Sequence, residues 1–171
     1  MSESQREDFL KKFMLGQEGG LQGQQPNTLE EQTQIGMEIE IEEKSLLGFC
    51  VMGGIFSEGI DLKQDSLIGV IVVGTGLPLV CPEREILKQY FDENGENGFD
   101  YAYRYPGMNK VLQAAGRVIR TEEDLGIVAL LDERFLQNHY TRLFPREWSE
   151  YKIVQESTIG KEVEFFWKEW L

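Results

Sequence analysis

Residues 68–76 read Ile-Gly-Val-Ile-Val-Val-Gly-Thr-Gly. The first six form an uninterrupted apolar run that is rich in β-branched residues, and the last three form a glycine turn. Two similar runs occur: residues 46–52, which end at Gly53-Gly54, and residues 127–131, which end at Asp132. Short continuous runs of this kind are typical of strands that are buried on both faces of a parallel sheet. The sequence therefore predicts an α/β fold, a parallel sheet with helices on both sides.

The segments between the runs predict helices at about 82–93 and 106–120. In parallel sheets, functional groups gather at the carboxyl ends of the strands. In this chain those ends are Gly53-Gly54, Gly74-Thr75-Gly76 and Asp132. We expect the functional site to lie along this edge of the sheet.

The flanking segments differ from this central part, although the length predicts one domain over residues 1–171. Residues 3–13 predict a short amphipathic helix. Residues 16–45 combine glycine, glutamine and glutamate with no aromatic residue, which predicts a mobile insertion, with an edge strand as an alternative for 37–42. The aromatic-rich residues 133–171 predict carboxyl-terminal helices, or in part an exposed surface for a partner.

The charge balance excludes a generally basic nucleic-acid-binding protein, because 30 acidic residues face 17 basic ones and the net charge is −13. A local basic site stays possible. Cys50 and Cys81 lack metal-ligand spacing and there is one histidine, so we expect buried reduced thiols and no metal site. The longest apolar runs are far shorter than a membrane span of about 18 residues. These features predict a cytoplasmic protein.

The strongest chemical pattern is Gln113-Ala-Ala-Gly-Arg-Val-Ile-Arg120. On a helix, Gln113, Arg117 and Arg120 share one stripe, and Gly116 allows another backbone to approach closely. Two guanidinium groups on a narrow stripe need anions, and their forked donors fit phosphate. From spacing alone, carboxylates of the same domain fit equally well.

A second pattern, residues 53–61, follows the first apolar run directly and is rich in glycine. Glycines let a turn bring its amide groups close to a ligand. Asp61 can accept a hydrogen bond from a ribose hydroxyl or from an arginine. A purely structural turn explains this pattern as well.

Three segments together resemble one family: GGIFSEGIDL (53–62), VIVVGTGLP (70–78) and YRYPGMNKVLQAAGRVIRTEEDLGIVALLDERF (103–135). They resemble the carboxyl-terminal RecA-like domain of XPD/DinG-type superfamily 2 DNA helicases. GGIFSEGIDL resembles motif V of that family, and QAAGRVIR resembles its motif VI, QxxGRxxR. The resemblance is strong over residues 46–148, whereas residues 16–45 depart from it.

The resemblance implies a motor of two RecA-like domains with ATP and Mg²⁺ between them. This chain would be the second domain only, since it has no GxxxxGK[ST] loop and no DEAH-type box. That domain would be incomplete, because the family's first strand and motif IV are missing before Met1. Its partners would be the first RecA-like domain and single-stranded DNA, with no membrane. The chain alone would then be inactive, and whether the family's iron–sulfur cluster is present stays open.

The resemblance also implies roles for individual residues at the nucleotide. Arg117 and Arg120 would be arginine fingers that reach the γ-phosphate, and Gln113 would contact the phosphates or the attacking water. Other cofactor-binding positions would be Gly59, Asp61 and Gly116, with Gly59 and Asp61 coupling the nucleotide to DNA.

For DNA, the implied track comprises Gly54, Ser57, Glu58 and Thr75. Asp132-Glu133-Arg134 resembles the family's segment after motif VI and would brace it. A DNA-repair helicase of 5′→3′ polarity follows by analogy. The alternative from another class is a non-catalytic protein-interaction module derived from a helicase domain.

Overall fold

The computed structural model describes residues 46–54, 67–119, 121 and 124–170. The helix predicted for residues 3–13, the insertion predicted for 16–45 and its alternative edge strand lie outside the described residues. The chain divides into two compact units, residues 1–49 and 50–171. Only residues 46–49 of the first unit are described, so the architecture below is that of the second.

Among the described residues, the sheet has two parallel strands: β1 (Gly69–Val73) and β2 (Ile127–Leu131). Their register pairs Gly69 with Ile127 and Val73 with Leu131, so both strands end at the same edge. The connection between them contains two long helices, as parallel pairing requires. This confirms the predicted α/β class and its parallel sheet flanked by helices.

The strand predicted for residues 46–52 is wrong. Residues 46–51 have no regular structure, and a turn begins at Met52. Leu47 is 70% exposed and Phe49 is 89% exposed. A strand exists only through ladder hydrogen bonds to a neighbour, and an apolar run in the sequence does not reveal whether that neighbour is present.

Burial on both faces was also predicted, and β1 does not show it. Val72 is 3% exposed, whereas Ile71 and Val73 on the opposite face are 60% and 72% exposed. Successive side chains point to opposite faces of a strand, so one face of β1 forms the core and the other is open.

The first helix of the connection, α1 (Pro82–Glu93), agrees with the predicted range. Pro82 stands in its first turn together with Glu83 and Glu85, residues that favour a helix amino terminus. A π-helical segment, Asp100–Arg104, then leads directly into α2 (Tyr105–Ala115). The sequence predicted α2 to reach residue 120, but the helix ends at Ala115, and Gly116 is its C-cap.

The chain after β2 forms short helical segments and one long helix. A 3₁₀ turn (Glu133–Leu136), α3 (Asn138–Thr141) and a second 3₁₀ turn (Arg146–Trp148) precede α4 (Glu156–Trp170). Helix α4 buries none of its residues fully, and Phe165 and Trp170 are more than half exposed.

The core joins the sheet, α2 and the segment after β2. Its buried members are Val72, Met108, Val111, Phe135 and Tyr140. Met108 and Val111 lie on the inward face of α2, so the opposite side of that helix is left for polar residues.

Candidate functional site

The carboxyl edge of the sheet is packed closely against the amino-terminal turn of α2. A Cβ atom built on Gly107 would lie 2.7 Å from the carbonyl oxygen of Thr75 and 3.1 Å from the amide nitrogen of Leu77. One built on Gly76, where φ is +65°, would lie 2.8 Å from the Gly107 carbonyl oxygen and 3.4 Å from Met52 Sδ. The loop after β1, the turn at Met52 and α2 therefore meet at one place.

The turn at residues 51–54 is closed by a hydrogen bond that the Gly54 amide donates to the Val51 carbonyl oxygen at 2.9 Å. Gly53 has a φ of +76°, a conformation that favours glycine. The side chain of Lys110 runs over this glycine, with Cε 3.2 Å and Nζ 3.6 Å from the position a Cβ atom would take. Helix α2 thus brings a cation to the first glycine turn.

The last turn of α2 carries the polar residues of the QAAGRVIR segment. Gln113 is exposed, and Arg117 is half-buried in the turn that follows the helix. The Gly116 amide donates to Leu112 and the Arg117 amide to Ala114, so the chain tightens after Ala115. Gln113 and Arg117 therefore do not share a continuous α-helical stripe, although both follow the buried residues of α2.

Thr75 stands directly at the edge of the sheet but is only 1% exposed. Its hydroxyl has no hydrogen-bond partner within the part of the chain that the structure describes. Its side chain thus lies inside the junction rather than on its surface. A contact between Thr75 and DNA stays a prediction and would require this loop to open.

Asp132, at the end of β2, is held by Arg134. Its carboxylate accepts hydrogen bonds from the Arg134 amide, Nε and Nη2 at 2.9, 2.8 and 2.7 Å. These bonds lower the pKa of Asp132 below its ordinary value. The pair caps the 3₁₀ turn after β2 and fixes the chain at the same edge as Gly74.

Several predicted site residues lie outside the described residues. They are Ser57, Glu58, Gly59, Asp61 and Arg120. Their roles stay predictions, as do those of Gly54, Gln113, Gly116 and Arg117, whose positions are given above.

Sequence reasoning missed a polar network beside the site. Asp100 is 3% exposed and forms ion pairs with Arg104 and, at 3.1 Å, with Arg142. Tyr103 donates a 2.5 Å hydrogen bond to Glu85, which together with burial raises the pKa of Tyr103 to about 12. The i, i+4 spacing of Asp100 and Arg104 was a usable signal, whereas no local pattern indicates Arg142.

No group of three or more histidine, cysteine, aspartate or glutamate side chains able to hold a metal occurs among the described residues. Cys50 and Cys81 form no disulfide. Cys50 is exposed and Cys81 is half-buried, so the expectation that both thiols are buried is wrong. No helix in the described ranges combines the length and the apolar character needed to cross a membrane.

Comparison with known proteins gives a family match over residues 2–151, to the helicase C-terminal domain. The ATP-dependent DNA helicase DinG of Photobacterium profundum is 34% identical over 105 residues, which cover 60% of this chain and 15% of that protein. The human regulator of telomere elongation helicase 1 is 39% identical over 95 residues, which cover 50% of this chain and 8% of that protein.

A probable ATP-dependent helicase of Methanocaldococcus jannaschii is 31% identical over 97 residues, which cover 52% of this chain and 15% of that protein. The chain therefore spans 15% or less of the length of these three relatives. The resemblance to XPD/DinG-type helicases is confirmed. Because the family match takes in most of its 171 residues, the chain belongs to the helicase C-terminal domain family.

Proposed function

We propose that this chain is the second RecA-like domain of an ATP-dependent DNA helicase and supplies arginine fingers to ATP held by a first RecA-like domain. The observation that carries the proposal is the location of the QAAGRVIR segment. Gln113 is exposed at the end of α2, and Arg117 follows in the next turn, beyond the buried residues Val111 and Ala115. Phosphate-binding side chains on this surface could meet a nucleotide on a facing domain.

The donor set suits a polyphosphate. Arg117 and Arg120 each carry a forked guanidinium group that matches phosphate oxygens, and the amide of Gln113 can donate to phosphate or accept from water. ATP supplies the phosphoryl group that is transferred to water. The arginines would stabilise the negative charge that develops on that group, an effect worth about 10³–10⁵ in kcat for arginine fingers.

The remaining nucleotide and DNA positions follow the family motifs. Mg²⁺ would be held mainly by the first domain, because the family's GxxxxGK[ST] loop and DEAH-type box belong to that domain. Gly59 and Asp61 would couple the nucleotide to DNA. Gly116 would be a further cofactor-binding position and would let another backbone approach closely. Gly54, Ser57, Glu58 and Thr75 would lie along single-stranded DNA.

The cellular setting is part of the same proposal: the role in DNA repair rests on the family likeness, and the cytoplasmic location rests on the sequence features given above. We place the complete helicase in the cytoplasm and in DNA repair. Its partners would be single-stranded DNA and the first RecA-like domain of the same protein.

The test uses the complete helicase with Arg117→Ala and Arg120→Ala. The DNA-stimulated ATPase rate of each variant should fall at least about a hundredfold, because an arginine finger stabilises the charge of the transition state. Lysine at either position should restore little activity, since a point charge does not replace a forked donor. Single-stranded DNA binding should stay close to that of the unaltered protein.

Arg146→Ala is the matched control, because Arg146 is an exposed arginine of the 3₁₀ turn Arg146–Trp148. It should leave the ATPase unchanged. Normal ATPase in both finger variants would contradict the proposal. Loss of folding in those variants would instead show that the arginines are structural ion-pair partners.

The second candidate is a non-catalytic interaction module, favoured by the exposed apolar residues of α4. Phe165 and Trp170 are 58% and 56% exposed on that helix. If this candidate is correct, Phe165→Ser should abolish binding of a protein partner, and the finger variants should leave every measured property unchanged. The retention of the complete QxxGRxxR pattern favours the motor domain instead.

A further inference from the structure

Lys110 is a cation held over a glycine turn at the edge of the sheet. It lies on α2, three residues before Gln113, which is about 4.5 Å along a helix axis. Its aliphatic chain packs over Gly53, and its ammonium nitrogen lies 3.6 Å from the position a Cβ atom would take there. Gly53 has no side chain, so the lysine stem and the backbone turn can approach this closely.

The charge environment makes this lysine unusual. The chain carries a net charge of −13, and three other described lysines pair with carboxylates: Lys88 with Asp92, Lys152 with Glu162, and Lys168 with Glu164. The remaining described lysine, Lys161, is exposed to solvent. Lys110 is half-buried, yet within the described part of the chain it forms neither an ion pair nor a hydrogen bond. A partly desolvated ammonium group gains from an anion supplied by another molecule.

The position of Lys110 favours a DNA phosphate over a nucleotide phosphate. Lys110 contacts the turn at residues 51–54 from the middle of α2, whereas Gln113 lies about one turn and Arg117 about two turns further toward the carboxyl end. A lysine is a point charge that suits a single phosphodiester, while the forked arginines suit a polyphosphate. We infer that Lys110 binds a phosphodiester of single-stranded DNA where the strand passes the Gly53–Gly54 turn. This inference rests on the DNA role proposed above for that turn.

The test measures binding of a short fluorescent oligothymidylate to the 171-residue chain as a function of salt concentration. Lys110→Met keeps the packed stem and removes the charge. It should weaken binding about fivefold at low salt. The negative slope of log Kobs against log salt should become shallower by about 0.7, which is the contribution of one phosphate contact on a single strand. Lys110→Arg should retain both affinity and slope.

Lys161→Met is the matched control, since Lys161 is an exposed lysine of α4 without an ion pair among the described residues. It should bind DNA as the unaltered chain does. If Lys110→Met also binds normally, the inference is wrong and the proposed function stands. If Lys110→Arg weakens binding as much as Lys110→Met, the lysine is a packing element and the inference is again wrong. If the unaltered chain binds no DNA at low salt, both the inference and the DNA role of this domain fail.

Discussion

At the scale of single residues, Gly107 shows how tightly the edge of the sheet is built. Gly107→Ala places a Cβ atom 2.7 Å from the Thr75 carbonyl oxygen, and neither backbone can move without disturbing the loop after β1. We expect a loss of about 2–3 kcal/mol in the free energy of unfolding. Denaturant titration of the purified variant would measure it.

Gly160→Ala provides the opposite case on the same chain. Gly160 lies within α4, and a Cβ atom there would meet nothing within 4 Å. Alanine is favoured over glycine in a helix by up to about 1 kcal/mol, so this variant should be slightly stabilised. Equal effects of the two substitutions would mean that the contact between Gly107 and Thr75 is not tight in solution.

The residues of the site could be predicted only in part. Motif residues such as Gln113 and Arg117 were found because their chemistry needs a fixed spacing. The burial of Thr75 could not be read from sequence, since it depends on the approach of Gly107, 32 positions further along the chain. The same holds for Arg142, which reaches Asp100 across 42 positions.

At the scale of elements, the carboxylate of Asp100 adds an ionic link to the core contacts between the helical segment 100–115 and the chain after β2. Asp100 is buried and pairs with Arg104, whose side chain is 11% exposed, and with Arg142. Asp100→Asn leaves the Arg104 charge without compensation, which should cost about 3 kcal/mol of stability. Thermal and denaturant unfolding would detect this loss.

Glu164→Gln is the matched control for that prediction. It breaks the ion pair between Glu164 and Lys168, which has the same i, i+4 spacing as the pair between Asp100 and Arg104. Both side chains of the Glu164 pair are more than 60% exposed. An exposed pair of this kind contributes about 0.3–0.5 kcal/mol. If both variants lose equally little stability, Asp100 does not join the two segments.

The elements themselves were predictable where local signals agreed. Each of β1, β2 and α1 has an apolar or amphipathic pattern and a residue that marks one of its ends: glycine after β1, aspartate after β2 and proline at the start of α1. Residues 46–52 carry the same apolar signal, but a strand depends on a partner that the run itself does not encode. Helix α2 ends before Gly116 because glycine has a low helix propensity. The apolar residues Val118 and Ile119 continue the helical sequence pattern beyond it, so the prediction extended the helix too far.

At the scale of the whole molecule, the open face of the sheet and the short coverage of the relatives agree. Ile71 and Val73 are exposed on β1, whereas parallel sheets normally have both faces covered. The chain also spans only 8–15% of the length of the three helicases compared above. Both observations support the proposal that this chain acts together with a first RecA-like domain.

The last prediction concerns the chain on its own. It contains no GxxxxGK[ST] sequence and no DEAH-type box, the segments that would cradle the phosphates and hold Mg²⁺. The isolated chain should therefore show no ATP turnover, with or without single-stranded DNA, whereas the complete helicase should. A sensitive phosphate-release assay on both proteins would measure this difference. Turnover by the isolated chain at about 1–10³ s⁻¹, the usual range of enzymes, would contradict the prediction. If that turnover also vanished in Arg117→Ala, the catalytic site would lie within this chain rather than between two domains.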